Sequence, residues 1–423
     1  MTRDVKNVKV LRLQSISCPE NSYHMALMCA QNPYVVVTHD DDIMKCNYVE
    51  ACFEILGKHK NIGLIASNVS LIDEESNELS GRLYSRDVLN KDLLIRRRQY
   101  AELYAKKKLW LPTTTHCINR KLYFDYYKRK NSVLRSYLPP SALNSKKRGV
   151  SQTLIYVEEA HFQPSGDLVT QIALNEKSDL YLFSEPMFSY RQHVKQQSRN
   201  VNQSDPMIYA AKQIAEDPYF SSNTRACMRR IEAKYSVQEA VFSNDFSSIK
   251  SVLAKYAGCN SPLITLMNKL LFGKKIKCDF KNGLEEHVYT ELLDSRLNAK
   301  IFKDSYIVLI GSMLLSYILK LMLEQKGFVV SAIVDRAPAR HGALIGKLRV
   351  LTYGELNDRF KSDCSEINRN VVIVSTSERR HDKAVVAYAE KFFHASKRKH
   401  DFKICTWENV LINRRNCAAA TGK

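Results

Sequence analysis

The sequence predicts an α/β protein in which a helical connector joins two α/β regions. Up to about residue 204, short β-branched segments alternate with segments of helical periodicity, which is typical of a largely parallel sheet covered by helices. Apolar residues then recur at spacings of three and four, which indicates amphipathic helices. From Ser305 a strand, a glycine, a helix and another strand follow in order. We therefore expect domains at residues 1–204, 205–300 and 301–423, of which the last is Rossmann-like.

The individual segments support this division. The predicted strands are Val8–Leu13, Tyr34–Thr38, Ile62–Val69, Tyr306–Ile310, Phe328–Val334 and Asn370–Ser375. The predicted helices are Ser22–Gln31, Tyr48–Leu56, Met207–Ala215, Asn223–Tyr235, Val237–Asn244, Ser247–Tyr256 and Ser261–Leu271. Pro218, Gly258 and Gly273 lie between helical segments, as helix-ending residues commonly do.

Composition and length exclude several classes of protein. The chain has 423 residues, 45% hydrophobic and 26% charged, as in ordinary globular proteins. Its longest apolar run, Val308–Leu319, is shorter than the ~20 residues that a membrane helix needs. The start of the chain, Met1–Gln14, is polar and basic and lacks the apolar stretch of a signal peptide. Eleven cysteines without zinc-site spacing predict free thiols, and together these features predict a cytoplasmic protein.

The net charge is +20, and two interpretations of it stay open. Runs of lysine and arginine commonly form a solvated surface. They also attract polyanions, which would allow peripheral association with the inner face of an anionic membrane. No helix-turn-helix, RNP or zinc signature accompanies the charge, so specific binding of nucleic acid is not predicted.

The sharpest functional signal is a run of acids at the end of a predicted strand. The apolar segment Tyr34–Thr38 is followed by His39, Asp40, Asp41 and Asp42. Ligands of α/β sheets bind beyond such strand ends. Three adjacent carboxylates repel one another unless a cation lies between them, and a divalent metal that also binds phosphate would supply it. An acidic helix N-cap is the alternative, and it explains one or two of the acids.

Five segments, in this order along the chain, resemble the family 2 glycosyltransferases of the GT-A type. The acidic run resembles the family's Asp-X-Asp region. The other segments that carry the resemblance are Leu64–Asn77, Leu111–Arg120, Gly166–Asp167 and Ser184–His193. The resemblance implies a GT-A-like mixed, mostly parallel sheet and a metal-dependent, inverting transfer. The donor would be a nucleotide diphosphate-sugar, in the first instance a UDP-sugar, and the acceptor a saccharide or polysaccharide.

The resemblance also implies roles for residues near the acidic run. Asp42 would be the direct ligand of Mn²⁺ or Mg²⁺. Asp40 and Asp41 would hold the ribose or a metal-bound water. Arg191, in the closing segment, would contribute to nucleotide-sugar binding.

Two further residues receive roles from the later segments. Asp167, at a helix start, would be the base that takes the proton of the acceptor hydroxyl. A simple N-cap is the alternative interpretation of this aspartate. His193 would ligate the metal or a phosphate, and a structural histidine is the alternative there.

The chain departs from the family pattern in three places. His39 stands where the family usually has the first aspartate, and a partly charged imidazole there would favour phosphate over metal. Gly166 replaces the glutamate that usually precedes the base. The opening strand with its Pro-X-(Tyr/Phe)-Asn step is missing, which we interpret as a truncated reading frame. The alternative is a catalytically inactive sugar-nucleotide-binding or scaffold protein.

The C-terminal region has the outline of a dinucleotide-binding fingerprint. Gly311 follows the strand Tyr306–Ile310, and Asp335 ends the next strand, where it could reach a ribose. The second and third glycines of the fingerprint are absent, so a pyrophosphate would not find bare backbone amides. We therefore favour a structural or partner-binding role for this region over cofactor binding.

Overall fold

A computed structural model describes most of the chain in two compact units. The described residues are 23, 26, 27, 29–84, 86, 88–107, 109–135, 166–192, 204–259, 261–273, 287–311, 313–335, 341–362, 370–376, 385–387, 389–391 and 402–413. The first unit comprises Met1–Tyr100 and Trp110–His193, and the second comprises Ala101–Leu109 and Val194–Lys423. Both units contain helices and mixed sheets, which confirms the α/β class.

The first unit is built on one seven-stranded sheet. Its strands are β1 Tyr34–Val36, β2 Ile43–Met44, β3 Ile62–Ile72, β4 Glu78–Arg82, β5 Leu93–Ile95, β6 Cys117–Asn119 and β7 Asp179–Arg191. From Tyr48 to β7, the helices with described bounds are α1 Tyr48–Lys58, α2 Tyr100–Lys107, α3 Arg120–Arg135 and α4 Gly166–Lys177. The strand order is β1-β6-β3-β7-β2, with β4 beside β3 and β5 beside β7.

The expectation of a mostly parallel sheet is wrong for the described strands of this unit. Only β3 and β7 pair in parallel, whereas the other five pairings are antiparallel. One reason is the tight turn between β3 and β4, where the Asp73 carboxylate accepts hydrogen bonds from the Glu75 and Asn77 amides. Antiparallel strands need only such a short loop, while parallel strands need a crossover. In addition, β1, β5 and β6 have three residues each, too few for periodicity to reveal their direction.

Burial explains why β3 can lie in the interior of this sheet. Its residues Ile62–Val69 are all buried, as expected of a strand covered on both faces. Gly63 lies so close to the end of α4 that a Cβ added to it would be 1.9 Å from Ser178 Oγ. Tyr48 and Ile55 of α1 belong to the same hydrophobic cluster as β3. Helix α1 therefore packs its apolar face on the sheet.

The predicted elements of the first unit occur close to their expected positions. The helix predicted from Tyr48 is α1 and the strand predicted from Ile62 is β3, each slightly longer than expected. The strand predicted from Tyr34 is β1, which is shorter. Within the predicted helix Ser22–Gln31, the described residues Tyr23, Ala26, Leu27 and Cys29 are helical. The predicted strand Val8–Leu13 lies outside the described residues.

Helices make up the N-terminal part of the second unit. From here on, the helices with described bounds are α5 Ser204–Glu216, α6 Ser222–Phe242, α7 Phe246–Lys255, α8 Pro262–Phe272, α9 His287–Asp294, α10 Ala299–Phe302, α11 Met313–Glu324 and α12 Tyr353–Ser362. The two helices predicted at Asn223–Tyr235 and Val237–Asn244 form one continuous helix, α6. Ser221 and Asp245 cap the starts of α6 and α7, and Gly273 ends α8 with a φ of 65°.

The larger sheet of the second unit is mainly parallel. A two-stranded antiparallel pair consists of β8 Ser295–Leu297 and β15 Leu411–Asn413. The larger sheet consists of β9 Ser305–Ile310, β10 Val330–Val334, β11 Leu344–Ile345, β12 Leu348–Leu351, β13 Asn370–Ser375 and β14 Phe402–Thr406. Its order is β11-β12-β10-β9-β13-β14, and every pairing except β11–β12 is parallel. If the five parallel strands are numbered in chain order, their order across the sheet is 3-2-1-4-5. This is the strand order of doubly wound nucleotide-binding sheets.

Alternating side chains of β9 face two different hydrophobic layers. Ile307 and Leu309 belong to a cluster with residues of α6, α8 and α11, whereas Val308 and Ile310 pack with Leu356 of α12. Helices therefore cover both faces of this sheet. None of the helices in the described ranges is long and apolar enough to cross a membrane. The seven described cysteines are free, and four of them are buried.

Candidate functional site

The acidic run, here called the acidic segment, comprises His39, Asp40, Asp41 and Asp42. It lies between two strands that both belong to the sheet of the first unit. Strand β1 pairs with β6 before the segment, and β2 pairs with β7 after it. Between them, the Val37 amide donates to the His116 carbonyl at 2.8 Å, and the His39 amide donates to Thr114 Oγ1 at 3.2 Å. These bonds hold the backbone of the segment against the residues that precede β6.

Asp42 is the buried member of the segment, because its side chain is only 1% exposed. Its Oδ1 accepts a 2.9 Å hydrogen bond from the Arg191 amide, whereas its Oδ2 is buried without a hydrogen-bond partner. Burial raises the pKa of Asp42, and the Arg191 amide and the nearby Thr114 hydroxyl oppose the rise. A buried carboxylate oxygen without a partner is costly, and a cation beside it would remove that cost.

His39, Asp41 and Asp42 form a group that could hold a metal ion. One nitrogen or oxygen atom from each lies within 4.8 Å of the others, and His39 Nδ1 is 3.7 Å from Asp42 Oδ2. Carboxylate oxygens and imidazole nitrogen are ordinary ligands of divalent cations, so these residues fit a metal. Asp40 is exposed and stands outside the group. The structure thus brings together two of the three predicted acids and adds His39.

Arg191, expected to bind the nucleotide-sugar, fastens the acidic segment to the β3–β4 turn. Its Nε donates to the Asp41 carbonyl at 2.9 Å. Its Nη1 is 2.9 Å from the carbonyl oxygens of Asp73 and Glu74 and from Ser76 Oγ. The guanidinium therefore positions the backbone of the site, and direct contact of Arg191 with a nucleotide stays a prediction. His193 lies outside the described residues.

Asp167 lies in the first turn of α4 and accepts hydrogen bonds from a second segment of the chain. Its Oδ1 accepts from the Leu168 amide at 2.8 Å. Its Oδ2 accepts from Trp110 Nε1 at 2.9 Å and from Thr113 Oγ1 at 3.3 Å. A side chain that only capped the helix would not need the Trp110 and Thr113 contacts. These donors fix the carboxylate in one orientation.

A 3-10 turn at Thr113–Thr115 links the two parts of the site. Thr113 bonds to Asp167, while the adjacent Thr114 bonds to the His39 amide. The predicted base and the predicted metal group are therefore joined through consecutive residues. No role for this turn was predicted from the sequence. Its threonines belong to Leu111–Arg120, a segment noted only for its resemblance to the glycosyltransferases.

A buried polar network holds α4 against the segment that carries the turn. Gln171 Nε2 donates to the Leu111 carbonyl at 2.7 Å and is 3.2 Å from His116 Nε2. Tyr100 Oη donates to Gln171 Oε1 at 2.6 Å. Burial lowers the pKa of His116 to about 3, so its imidazole is neutral at neutral pH. Gln171 lies four residues after Asp167 on α4, so both side chains lie on the same face of the helix. This spacing of two polar residues on a largely apolar helix is the sequence signal from which the network could have been predicted.

The Ser67–Asn68 step, part of the resembling segment Leu64–Asn77, has a structural role in the sheet. The β3–β7 register shifts at these two residues. Asn68 Nδ2 donates to the carbonyl oxygens of Tyr84 and Ser184 at 2.8 and 3.1 Å. The amide side chain thereby provides hydrogen bonds to the backbone at the point where the ladder is irregular.

The carboxyl ends of β9 and β13, where the strand order of the second sheet reverses, are closed by side chains. Thr376 Oγ1 donates to the Ile310 carbonyl at 3.0 Å and is 2.8 Å from Ser316 Oγ in the first turn of α11. Gly311 makes the turn after β9 with a φ of 122°. Asp335, after β10, is 5% exposed. A dinucleotide would have to displace these contacts to reach the usual binding crevice.

We therefore expect that the full-length chain does not bind NAD or NADH at micromolar concentrations. A single hydrogen bond from Asp335 to a ribose contributes only ~1–3 kcal/mol, while a Kd of 1 mM already requires about 4 kcal/mol. Titration followed by NADH fluorescence measures this directly. Saturable micromolar binding that is lost in Asp335→Asn would show that the closed sheet end still accepts a dinucleotide.

The chain was also compared with known proteins. No protein-family model and no curated protein matched it. The function is therefore inferred from the geometry of the acidic segment and of Asp167, together with the ordered motifs of the sequence.

Proposed function

We propose that the chain is a GT-A-type, inverting glycosyltransferase that moves a sugar from a nucleotide diphosphate-sugar, in the first instance a UDP-sugar, to a saccharide acceptor. The observation that carries this proposal is the buried Asp42 Oδ2, which has no hydrogen-bond partner and lies in a group with His39 and Asp41. The same group connects through the Thr113–Thr115 turn to Asp167. A cation site and a fixed carboxylate on adjoining segments are what a metal-dependent transfer to a hydroxyl requires.

The donor side of the reaction depends on charge neutralisation. Asp42, with His193 as the second expected ligand, would hold Mn²⁺ or Mg²⁺, and Asp40 and Asp41 would hold the ribose or a metal-bound water. A divalent cation there would neutralise the charge that develops on the leaving diphosphate. The Arg191 contacts keep Asp41 and Asp42 in place while the donor binds.

The acceptor side of the reaction depends on Asp167. Its carboxylate takes the proton of the acceptor hydroxyl as that oxygen bonds to the sugar carbon and the bond from the same carbon to the diphosphate breaks. Trp110 and Thr113 orient Oδ2, while Oδ1, which accepts one backbone amide, keeps a lone pair for the proton. Holding the base in one orientation is part of the catalytic effect, because it removes the need to find that orientation during the reaction.

A catalytically inactive sugar-nucleotide-binding or scaffold protein is the second candidate. The contacts of Arg191 favour this candidate. Its guanidinium, which was expected to bind the nucleotide-sugar, bonds to the β3–β4 turn of the protein itself. Metal-dependent binding of UDP without any transfer of sugar would identify this alternative.

The proposed donor site predicts that UDP binds only with a divalent cation and that Asp42→Asn abolishes the binding. Loss of a ligand should weaken the metal-dependent affinity by more than ~100-fold, since even partners outside the coordination shell contribute ~10–100-fold. Calorimetry with UDP, with and without MnCl₂, measures both effects. Asp125→Asn in α3 is the matched control, since it removes an exposed carboxylate whose ion-pair partner is Lys121 of the same helix. Equal UDP binding with and without metal would disprove the proposal.

A further inference from the structure

We propose that His39 is a nitrogen ligand of the cation at the acidic segment, and that the site therefore takes Co²⁺ or Mn²⁺ in preference to Mg²⁺. This inference rests on the proposed function, because it concerns the same cation, but it assigns a ligand that the family pattern does not supply. It also replaces the expectation that His39 would contact phosphate.

The distances within the group are those of atoms that can share one ion. His39 Nδ1 and Asp42 Oδ2 are 3.7 Å apart. Two atoms bound ~2.1 Å from the same ion lie roughly 3 to 4.2 Å apart, depending on the angle between them. The third atom, from Asp41, lies within 4.8 Å of both, so a small adjustment would complete the set.

The buried Asp42 Oδ2 gives an independent indication that an ion belongs there. The oxygen is buried and makes no hydrogen bond of normal geometry, although the other carboxylate oxygen accepts one from the Arg191 amide. The polar atom of His39 faces this oxygen, and the imidazole is 45% exposed. A cation between Nδ1 and Oδ2 would satisfy both atoms, whereas a phosphate beside Oδ2 would add repulsion.

Hydrogen bonds to the backbone hold all three residues in place. The His39 amide donates to Thr114 Oγ1, and Thr38 Oγ1 donates to the His39 carbonyl, each at 3.2 Å. Arg191 donates to the Asp41 carbonyl through Nε and to Asp42 Oδ1 through its amide. Outer contacts of this kind orient ligands before a metal arrives.

The mixture of donors determines which metal is favoured. Mg²⁺ prefers oxygen ligands in near-ideal octahedral geometry and loses its water reluctantly. Imidazole suits the transition metals, whose affinity for nitrogen and oxygen sites rises from Mn²⁺ through Co²⁺. Two carboxylates and one imidazole therefore make a site for a transition-metal ion.

The test is metal binding by the full-length protein without nucleotide. Titration with CoCl₂, MnCl₂ and MgCl₂ should give affinities for Co²⁺ and Mn²⁺ at least ~10-fold above that for Mg²⁺. His39→Asn, which replaces the imidazole with an oxygen ligand of similar reach, should lower the Co²⁺ affinity by ~10–100-fold and change the Mg²⁺ affinity much less. His59→Asn, at the end of α1, is the matched control for loss of an imidazole.

A spectroscopic readout tests on the wild-type protein itself whether an imidazole nitrogen binds the ion. Electron spin echo measurements on the Mn²⁺-loaded protein should show coupling to an imidazole nitrogen in the wild type and in His59→Asn, and coupling to one imidazole nitrogen fewer in His39→Asn. Equal Co²⁺ affinity in the wild type and His39→Asn, or nitrogen coupling of undiminished intensity in His39→Asn, would overturn the assignment. Loss of UDP affinity at unchanged metal affinity would show instead that His39 contacts phosphate.

Failure of this inference and failure of the proposed function give different results. If His39→Asn keeps metal-dependent UDP binding and the wild type binds Mg²⁺ as tightly as Co²⁺, only the ligand assignment is wrong. If the wild type binds neither metal nor UDP, the proposed function is wrong as well.

Discussion

Asp167→Asn is expected to lower the rate of sugar transfer by ~10²–10⁴-fold while leaving metal-dependent UDP binding intact, because an amide cannot take the proton of the acceptor hydroxyl. Asparagine keeps the size of the side chain and an oxygen that can accept from Trp110 Nε1, so the segment that carries Trp110 and Thr113 should stay in place. The effect should therefore appear in kcat and not in the affinity for the donor.

The measurement is release of UDP from a panel of UDP-sugars with saccharide acceptors and with water. Asp125→Asn again serves as the control for loss of an exposed carboxylate. Trp110→Phe should lower the rate by a smaller factor, because it removes one donor that orients Asp167 and leaves the base itself. Transfer by Asp167→Asn at the wild-type rate would show that another group takes the proton.

Acidification is expected to lower the free energy of unfolding of the first unit because of His116. In His116→Gln this part of the decrease should be absent. Burial lowers the pKa of His116 to about 3, and its Nδ1 is buried without a hydrogen-bond partner. The unfolded chain takes up the proton below a pKa of about 6.5, while the folded protein does not until about pH 3. The free energy of unfolding should thus fall as pH decreases through this window, by about 1.4 kcal/mol per pH unit.

Over the whole window the contribution of His116 is on the order of 4 to 5 kcal/mol. Carboxylates also titrate below about pH 5, so the informative quantity is the difference between the wild type and His116→Gln at pH 7, 6 and 5. Glutamine can still donate to the Leu111 carbonyl, which His116 Nε2 approaches to 3.3 Å. Between pH 6.5 and 5, the slope of this free-energy difference against pH should correspond to the uptake of about one proton on unfolding.

The two tryptophans allow the first unit to be observed alone. Trp110 lies in the first unit and Trp407 in the second, so Trp110 fluorescence in a Trp407→Phe background reports unfolding around His116. His59→Gln is the control for removal of a histidine outside the network. An identical pH dependence in the wild type and His116→Gln would mean that the pKa of His116 is the same in the folded and the unfolded protein.

The local features of the fold were predictable because each is encoded by adjacent residues. The buried strand β3 is a continuous apolar run, and α1 and the helices after residue 204 show helical periodicity. Ser221 and Asp245, each at a helix start, and Gly273, at a helix end, mark boundaries through their own backbone and side-chain chemistry. The direction of the short strands was not predictable, since it depends on which strand each one meets.

The candidate site likewise has features that could be predicted from adjacent residues and features that could not. The acidic run was visible because Asp40, Asp41 and Asp42 are consecutive, and Asp167 was visible through its position at a helix start. The partners of these residues come from far along the chain: the Asp42–Arg191 bond spans 149 residues and the Thr113–Asp167 bond spans 54. No periodicity connects such positions.

The sequence by itself determined that carboxylates follow a strand end, that apolar segments form two α/β regions, and that the charge is strongly positive. Only the tertiary structure decided which carboxylate is buried, which histidine faces it and which turn joins it to Asp167. The physical reason is that burial belongs to a position in space. Asp42 Oδ2 becomes a candidate ligand because neighbouring segments exclude water from it without supplying a donor, and no local pattern of residues records that exclusion.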